Sequence, residues 1–114
     1  MMHEMKLDPK YYDYILNGSK KVELRLNDEK RKNIKIGDKI KFLKEPSLDE
    51  SFVSTVVNLY HFDSFEELFK HFDISVLADK SMTKEILTSD LEKFYTKEKQ
   101  MKYGVLGIEI TLDK

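Results

Sequence analysis

The segment Gly18-Ser19-Lys20-Lys21-Val22-Glu23-Leu24-Arg25 sets cations and a carboxylate at the exit of a glycine turn. In a cleft these groups would divide the work of recognition. An arginine forks onto a phosphate, a carboxylate or a base edge, a lysine acts as a point charge or proton carrier, and a glutamate accepts from amino or hydroxyl groups. Lys20, Lys21, Glu23 and Arg25 are the candidate ligand-binding residues. Lys20 and Glu23 are also the candidate catalytic pair, with Glu23 a general base for water attack if burial and Lys20 tune its pKa. On spacing alone the alternative is a row of surface ion pairs, each worth about 0 to 1 kcal/mol. Desolvating an unpaired ion costs several kcal/mol, so charges on a barrel strand call for a cleft or for mutual pairing.

Two tyrosines extend the candidate site. Tyr95 and Tyr103 flank a lysine-rich stretch with Lys97, Lys99 and Lys102, which would form a rim for stacking a base beside phosphate contacts; core packing is the alternative. Tyr103 is the stronger ligand-binding candidate, because Leu106, Ile108 and Ile110 pointing inward give it outward parity. Ser19 next to Lys20 does not make a Ser-Lys dyad, since strand neighbours point apart. His3, His61 and His71 lack metal-ligand spacing and no acidic cluster suits two metals, so neither a metal nor a cofactor is expected.

The elements that must position these groups follow from periodicity and punctuation. Met2 to Leu7 reads as a first strand. Asp8-Pro9 then supplies an N-cap and a proline in the first helical turn, for a helix that buries Tyr11 or Tyr12 with Ile15 and stops at Asn17-Gly18. Lys20 to Leu26 alternates as a half-buried strand, with Val22, Leu24 and Leu26 on one face and Lys21, Glu23 and Arg25 on the other. Asn27 to Asn33 is a loop or short helix. Gly37-Asp38 turns into a strand at Lys39 to Leu43, and Phe52 to Tyr60 is rich in β-branched and aromatic residues. Ser64-x-x-Glu67 is a capping box opening an amphipathic helix with Phe65, Leu68, Phe69 and Phe72 on its core face. A second helix, Thr83 to Tyr95, is expected to turn Ile86, Leu87, Leu91 and Phe94 inward. Thr96 to Lys102 reads as a loop before a last strand from Val105. Five or six short strands would leave exposed edges in a flat sheet, so they are expected to curl into a small β-barrel with the helices against one end or side.

The totals bound the rest. The 114 residues suit one domain, and 40% hydrophobic with 36% charged residues is a globular composition. With no cysteine, disulfides and thiolate chemistry are excluded, and a cytoplasmic location is the expectation. No apolar run approaches the roughly 20 residues a membrane span needs. Net charge is −1, yet residues 20–44 hold ten Lys or Arg against four Asp or Glu. A local basic surface on an acidic body suits a protein that docks a phosphate-bearing ligand at one place. Solvation of strand and loop surfaces is the alternative.

Gly18-x-Lys20-x-x-Glu23-x-Arg25 resembles the G-x-K-x-x-E-x-R signature of the ASCH (activating signal cointegrator homology) family. The likeness continues through Met5-x-Leu7, Tyr11-Tyr12 with Ile15, Ile36-Gly37-Asp38 with Ile40-x-Phe42, Ser64-Phe65-Glu66-Glu67-Leu68 and Tyr103-Gly104-Val105, so residues 1–114 are expected to form a single domain of this kind. The resemblance implies an α+β, PUA-like β-barrel with a role in RNA binding or RNA metabolism. RNA or a modified nucleoside is the expected ligand, and the sequence points to no membrane role and no DNA specificity and names no protein partner. Some small members resembling this chain remove the acetyl group of N4-acetylcytidine with a lysine, a threonine and a downstream glutamate. Lys20 matches the lysine, Glu23 stands at the threonine position, and the downstream acid falls near Lys80, with Asp79 beside it. A ribonuclease activity is also attributed within the family. The expectation is therefore a binding module, with a hydrolase acting on an acylated nucleoside or on RNA as the alternative, and an adaptor whose charge cluster is purely structural as the third reading.

Overall fold

A computed structural model describes residues 1–113. Five strands, β1 (Met2–Leu7), β2 (Val22–Leu26), β3 (Lys39–Lys44), β4 (Ser51–Phe62) and β5 (Val105–Leu112), form one sheet in the order β1-β3-β4-β5-β2. The β1/β3 pair is parallel and the other three pairs are antiparallel. Five helices, α1 (Pro9–Leu16), α2 (Phe65–Phe69), α3 (Ile74–Leu77), α4 (Lys84–Glu92) and α5 (Lys97–Tyr103), connect and cover it. Among the described residues no helix is long and apolar enough to cross a membrane.

Local chemistry sets the first half of the fold. Asp8 caps α1 by accepting from the Lys10 N–H at 2.9 Å, and Pro9 occupies the first turn, where its missing N–H is harmless. Asn17 and Gly18 end the helix, Gly18 at φ +90°. That turn sends the chain straight into β2.

Two apolar cores lie on opposite faces of the curled sheet. One gathers Met5, Tyr12, Ile15, Phe42, Val56 and Ile108 with their neighbours; the other packs Val22, Leu24 and Leu26 against Phe65, Leu68, Leu77 and Leu87 from the helices. Gly107 permits that second layer to approach, because a Cβ there would meet Leu68 Cδ1 and Val22 Cγ1 at 3.3 Å. Sandwiched between helices on one side and the sheet interior on the other, β2 is buried at every residue. The half-buried strand read from its alternation is thus corrected: Glu23 and Arg25 are as enclosed as Val22 and Leu24.

The sheet is a half-barrel of five strands. Its terminal strands β1 and β2 curl toward each other without a shared backbone ladder. Across the gap, Arg25 Nη2 donates to the Lys6 carbonyl at 2.9 Å.

Four further readings change. Residues 96–102 are not a loop: Thr96 caps α5 through the Lys99 N–H and Gly104 ends it, so the lysines ride on a helix. α3 is a four-residue helix, capped by Asp73, that the sequence reading lacks. On and after α4, only Leu87 is fully inward, and Ile86 (46% exposed) and Phe94 (69%) face outward. α2 ends at Phe69, before Phe72.

Candidate functional site

Where β1 and β2 fail to join, a cavity of about 790 Å³ opens along the seam. Its sides are β1, the start of α1, the 30–34 loop and the end of α4 with the residues after it. Lys20, Glu23 and Arg25 all line it, and all three are nearly inaccessible, at 3, 4 and 9% exposure.

The turn at Gly18 explains how Lys20 joins residues of the strand. Its backbone N–H donates to the Tyr14 carbonyl at 2.9 Å, which holds the chain against α1 before β2 begins. From there its ammonium donates to the carbonyls of Val22 (2.8 Å) and Leu77 (2.6 Å) and lies 3.3 Å from Glu23 Oε1. Tyr11 offers its ring 5.6 Å away. Glu23 Oε1 accepts the Leu24 N–H at 3.1 Å, while Oε2 accepts Arg25 Nε at 3.0 Å and Nη2 at 2.8 Å. The two-point contact between guanidinium and carboxylate is the strongest ion-pair geometry side chains make.

These contacts set the ionisation states. Burial pushes the Lys20 ammonium down and the neighbouring Glu23 only partly restores it. For Glu23, burial alone would raise the pKa, but Arg25 and then Lys20 outweigh it and hold the carboxyl below its ordinary value. Arg25 is held charged by Glu23 against its own burial, and the Tyr95 hydroxyl stands close enough to the guanidinium to assist. Lys20 is no free ammonium awaiting a guest: all three of its protons are directed at protein oxygens.

The wall opposite β2 is fastened by Asp90 of α4, whose Oδ2 accepts from Tyr11 Oη at 2.5 Å and Lys10 Nζ at 2.9 Å. Tyr11 is raised far above an ordinary phenol, chiefly by burial and then by this bond, and Asp90 is correspondingly lowered. Phe94 and Tyr95 continue the wall, and Lys6, Lys30 and Arg31 also line the cavity, Lys6 and Lys30 exposed and Arg31 paired with Asp28 at 2.9 Å. Seven Lys or Arg and five Asp or Glu line the cavity, a net positive surround within an acidic chain.

Lys20, Glu23 and Arg25 are thus brought together; Lys21 and Tyr103 are not part of this group. Lys21 faces solvent, its N–H bonded to the Val76 carbonyl. Tyr103 ends α5, half-buried against the second core, with Lys102 Nζ 5.1 Å from its ring. The outward parity expected from β5 fails because Val105 to Ile108 are buried on both faces. Asp79 accepts from the Ser81 N–H and hydroxyl at 3.1 and 2.6 Å and does not line the cavity. Tyr11, Lys30, Asp90 and Phe94 are among the lining residues that sequence reasoning missed, although α4 was legible as a helix and Asp90 occupies its last turn.

A family model for the ASCH domain matches residues 5–113. The fold is also similar to the crystal structure of hypothetical protein PH0355, with 34% identity, a TM-score of 0.86, and 99% of this chain and 100% of that one covered. The solution structure of protein PF0455 from Pyrococcus furiosus has 32% identity and a TM-score of 0.76, with 98% and 97% covered. The S128A mutant of ZmASCH from Zymomonas mobilis is 11% identical with a TM-score of 0.68, over 96% of this chain and 67% of that one, a likeness of fold. No curated protein matches.

Proposed function

We propose an RNA-binding role for this chain, which belongs to the ASCH domain family: the cavity between β1, β2 and α4 receives one nucleotide of single-stranded RNA, or a nucleotide-like small molecule. The observation that carries the reading is the combination of surfaces in one cavity. An ionic floor of Lys20, Glu23 and Arg25 lies below aromatic walls of Tyr11, Phe94 and Tyr95, with the exposed Lys6 and Lys30 also lining it. Aromatic side chains stack any base, and surrounding cations follow the phosphates, which is how single strands are held. Its volume, about 790 Å³, is in the range of small-ligand sites.

Binding is favoured over hydrolysis by the engagement of every Lys20 proton and by the position of Asp79 outside the cavity. A general acid or base must be free to reach the group it serves.

The test is fluorescence anisotropy of a labelled short single-stranded RNA at about 50 and 200 mM salt. Two or three phosphate contacts predict a roughly tenfold loss of affinity at the higher salt, since the slope is about 0.7 per phosphate on single strands. Phe94→Ala, at a side chain 69% exposed, should leave thermal stability unchanged and weaken binding at least about fivefold. RNA that binds at neither ionic strength, or equally at both, refutes the reading.

A further inference from the structure

The donors and acceptors on the cavity floor, counted one by one, leave very little for a ligand. Lys20 spends its three protons on Val22 O, Leu77 O and Glu23. Glu23 accepts four contacts, two on each oxygen. Arg25 has five N–H groups, and three are committed: Nε to Glu23, and Nη2 to both Glu23 and the Lys6 carbonyl. Its Nη1 forms no hydrogen bond among the described residues and is not among the side-chain atoms sealed from solvent without a partner. Beside the guanidinium stands the Tyr95 hydroxyl, close enough to accept from it, with no acceptor for its own O–H proton among the described residues and likewise lining the cavity.

Charge narrows the ligand further. Lys20 and Arg25 bring two positive charges and Glu23 one negative, so a cluster less than a tenth exposed carries an excess of +1. Buried charge without a partner is unfavourable, and an anion brought by the ligand would balance it. Both unspent groups can donate hydrogen bonds, which suits an anionic oxygen and not a ligand amino group.

Resting on the cavity being the binding site proposed above, we infer that its floor receives a terminal phosphate monoester. Arg25 Nη1 and the Tyr95 hydroxyl donate to its oxygens, and Lys20 and Glu23 act as positioning residues that hold the guanidinium. A phosphodiester within a chain carries nucleotides on both sides and stays at the opening, near Lys6 and Lys30. A monoester at the end of an RNA, or on a free nucleotide, can enter headfirst.

Calorimetric titration of the full chain with uridine, uridine 5′-monophosphate and uridine 3′-monophosphate tests this, together with short RNAs bearing either a terminal phosphate or a terminal hydroxyl. At least one monophosphate should bind about ten- to a hundredfold more tightly than uridine, as expected for hydrogen bonds to a charged group. The two isomers tell which end enters, and the RNA pair tells whether the source is a strand or a free nucleotide. Tyr95→Phe, which keeps the ring, should remove about fivefold of that advantage, and Arg25→Lys nearly all of it. Equal affinity for uridine and both monophosphates, or an advantage that survives Tyr95→Phe, overturns the inference and leaves the RNA-binding reading standing. If neither nucleotides nor RNA bind the wild-type protein, both fall.

Discussion

Replacing Glu23 with glutamine removes the one negative charge from a buried group of three and changes almost nothing in volume. Glu23 is 4% exposed, accepts Leu24 N–H at 3.1 Å and Arg25 at 2.8 and 3.0 Å, and has Lys20 at 3.3 Å. Glutamine keeps one acceptor oxygen and must turn an NH₂ group toward either the guanidinium or the ammonium, leaving both cations without a counter-charge. Breaking a buried ion pair by removing one partner costs about 3 to 5 kcal/mol. For a domain whose whole stability is about 5 to 15 kcal/mol, that lowers Tm by roughly 10 to 20 °C. Urea and thermal unfolding followed by circular dichroism measure it. The pH dependence supplies a second readout. Because the Glu23 carboxyl is held below its ordinary 4.5 in the folded state, its contribution is fully present above that pH and is lost as pH falls through the lowered value. The gap between wild type and variant should therefore be widest near neutrality and narrow in acid. Lys20 works in the opposite sense: its lowered pKa weakens folding at neutral pH, and stability recovers as pH rises toward 10.5. Without Glu23 that recovery should begin at lower pH. The joint replacement Lys20→Met, Glu23→Leu, Arg25→Met should be neutral or stabilising, which would mark the cluster as retained for something other than stability. A Glu23→Gln gap under about 1 kcal/mol at neutral pH, or one that does not narrow in acid, refutes the reasoning.

Tyr11→Phe deletes the hydroxyl that ties α1 to Asp90 at 2.5 Å and should cost about 1 to 2 kcal/mol. Amide exchange should speed up in α4 while β4 and β5 keep their protection. Gly18→Ala should lower stability by about 1 to 2 kcal/mol through the backbone alone, since φ is +90° and an added methyl meets nothing within 4 Å. The urea midpoint reports it, and a neutral result would show that the turn relaxes.

The elements legible from the sequence were those with local causes. Asp8-Pro9 and Ser64-x-x-Glu67 each satisfy free N–H groups within a turn of their own position, so α1 and α2 begin where their caps say. α5 was missed because lysines conceal its period, although Thr96 and Gly104 bracket it as cap and stop. The inward direction assigned to Ile86 and Phe94 assumed a helix packed along its length, whereas α4 sits on the molecule through Leu87, Leu91 and the Asp90 contacts. The candidate site was half visible. Lys20, Glu23 and Arg25 share one short segment and could be named, but alternation does not reveal that one strand is covered on both faces. Tyr11 and Phe94 reach the cavity only because distant elements fold over it, and Tyr103 left it because β5 is enclosed on both sides.

The curl of the sheet has one more effect. A flat sheet of this order would present two open borders to the surroundings, each a template on which another chain could add a strand and begin a fibril. Here the outer border of β1 faces that of β2 across the seam, where Arg25 reaches the Lys6 carbonyl. Each border is thereby screened from intermolecular strand addition. Complete zipping would have screened them too, but it would have closed the seam along which the cavity opens.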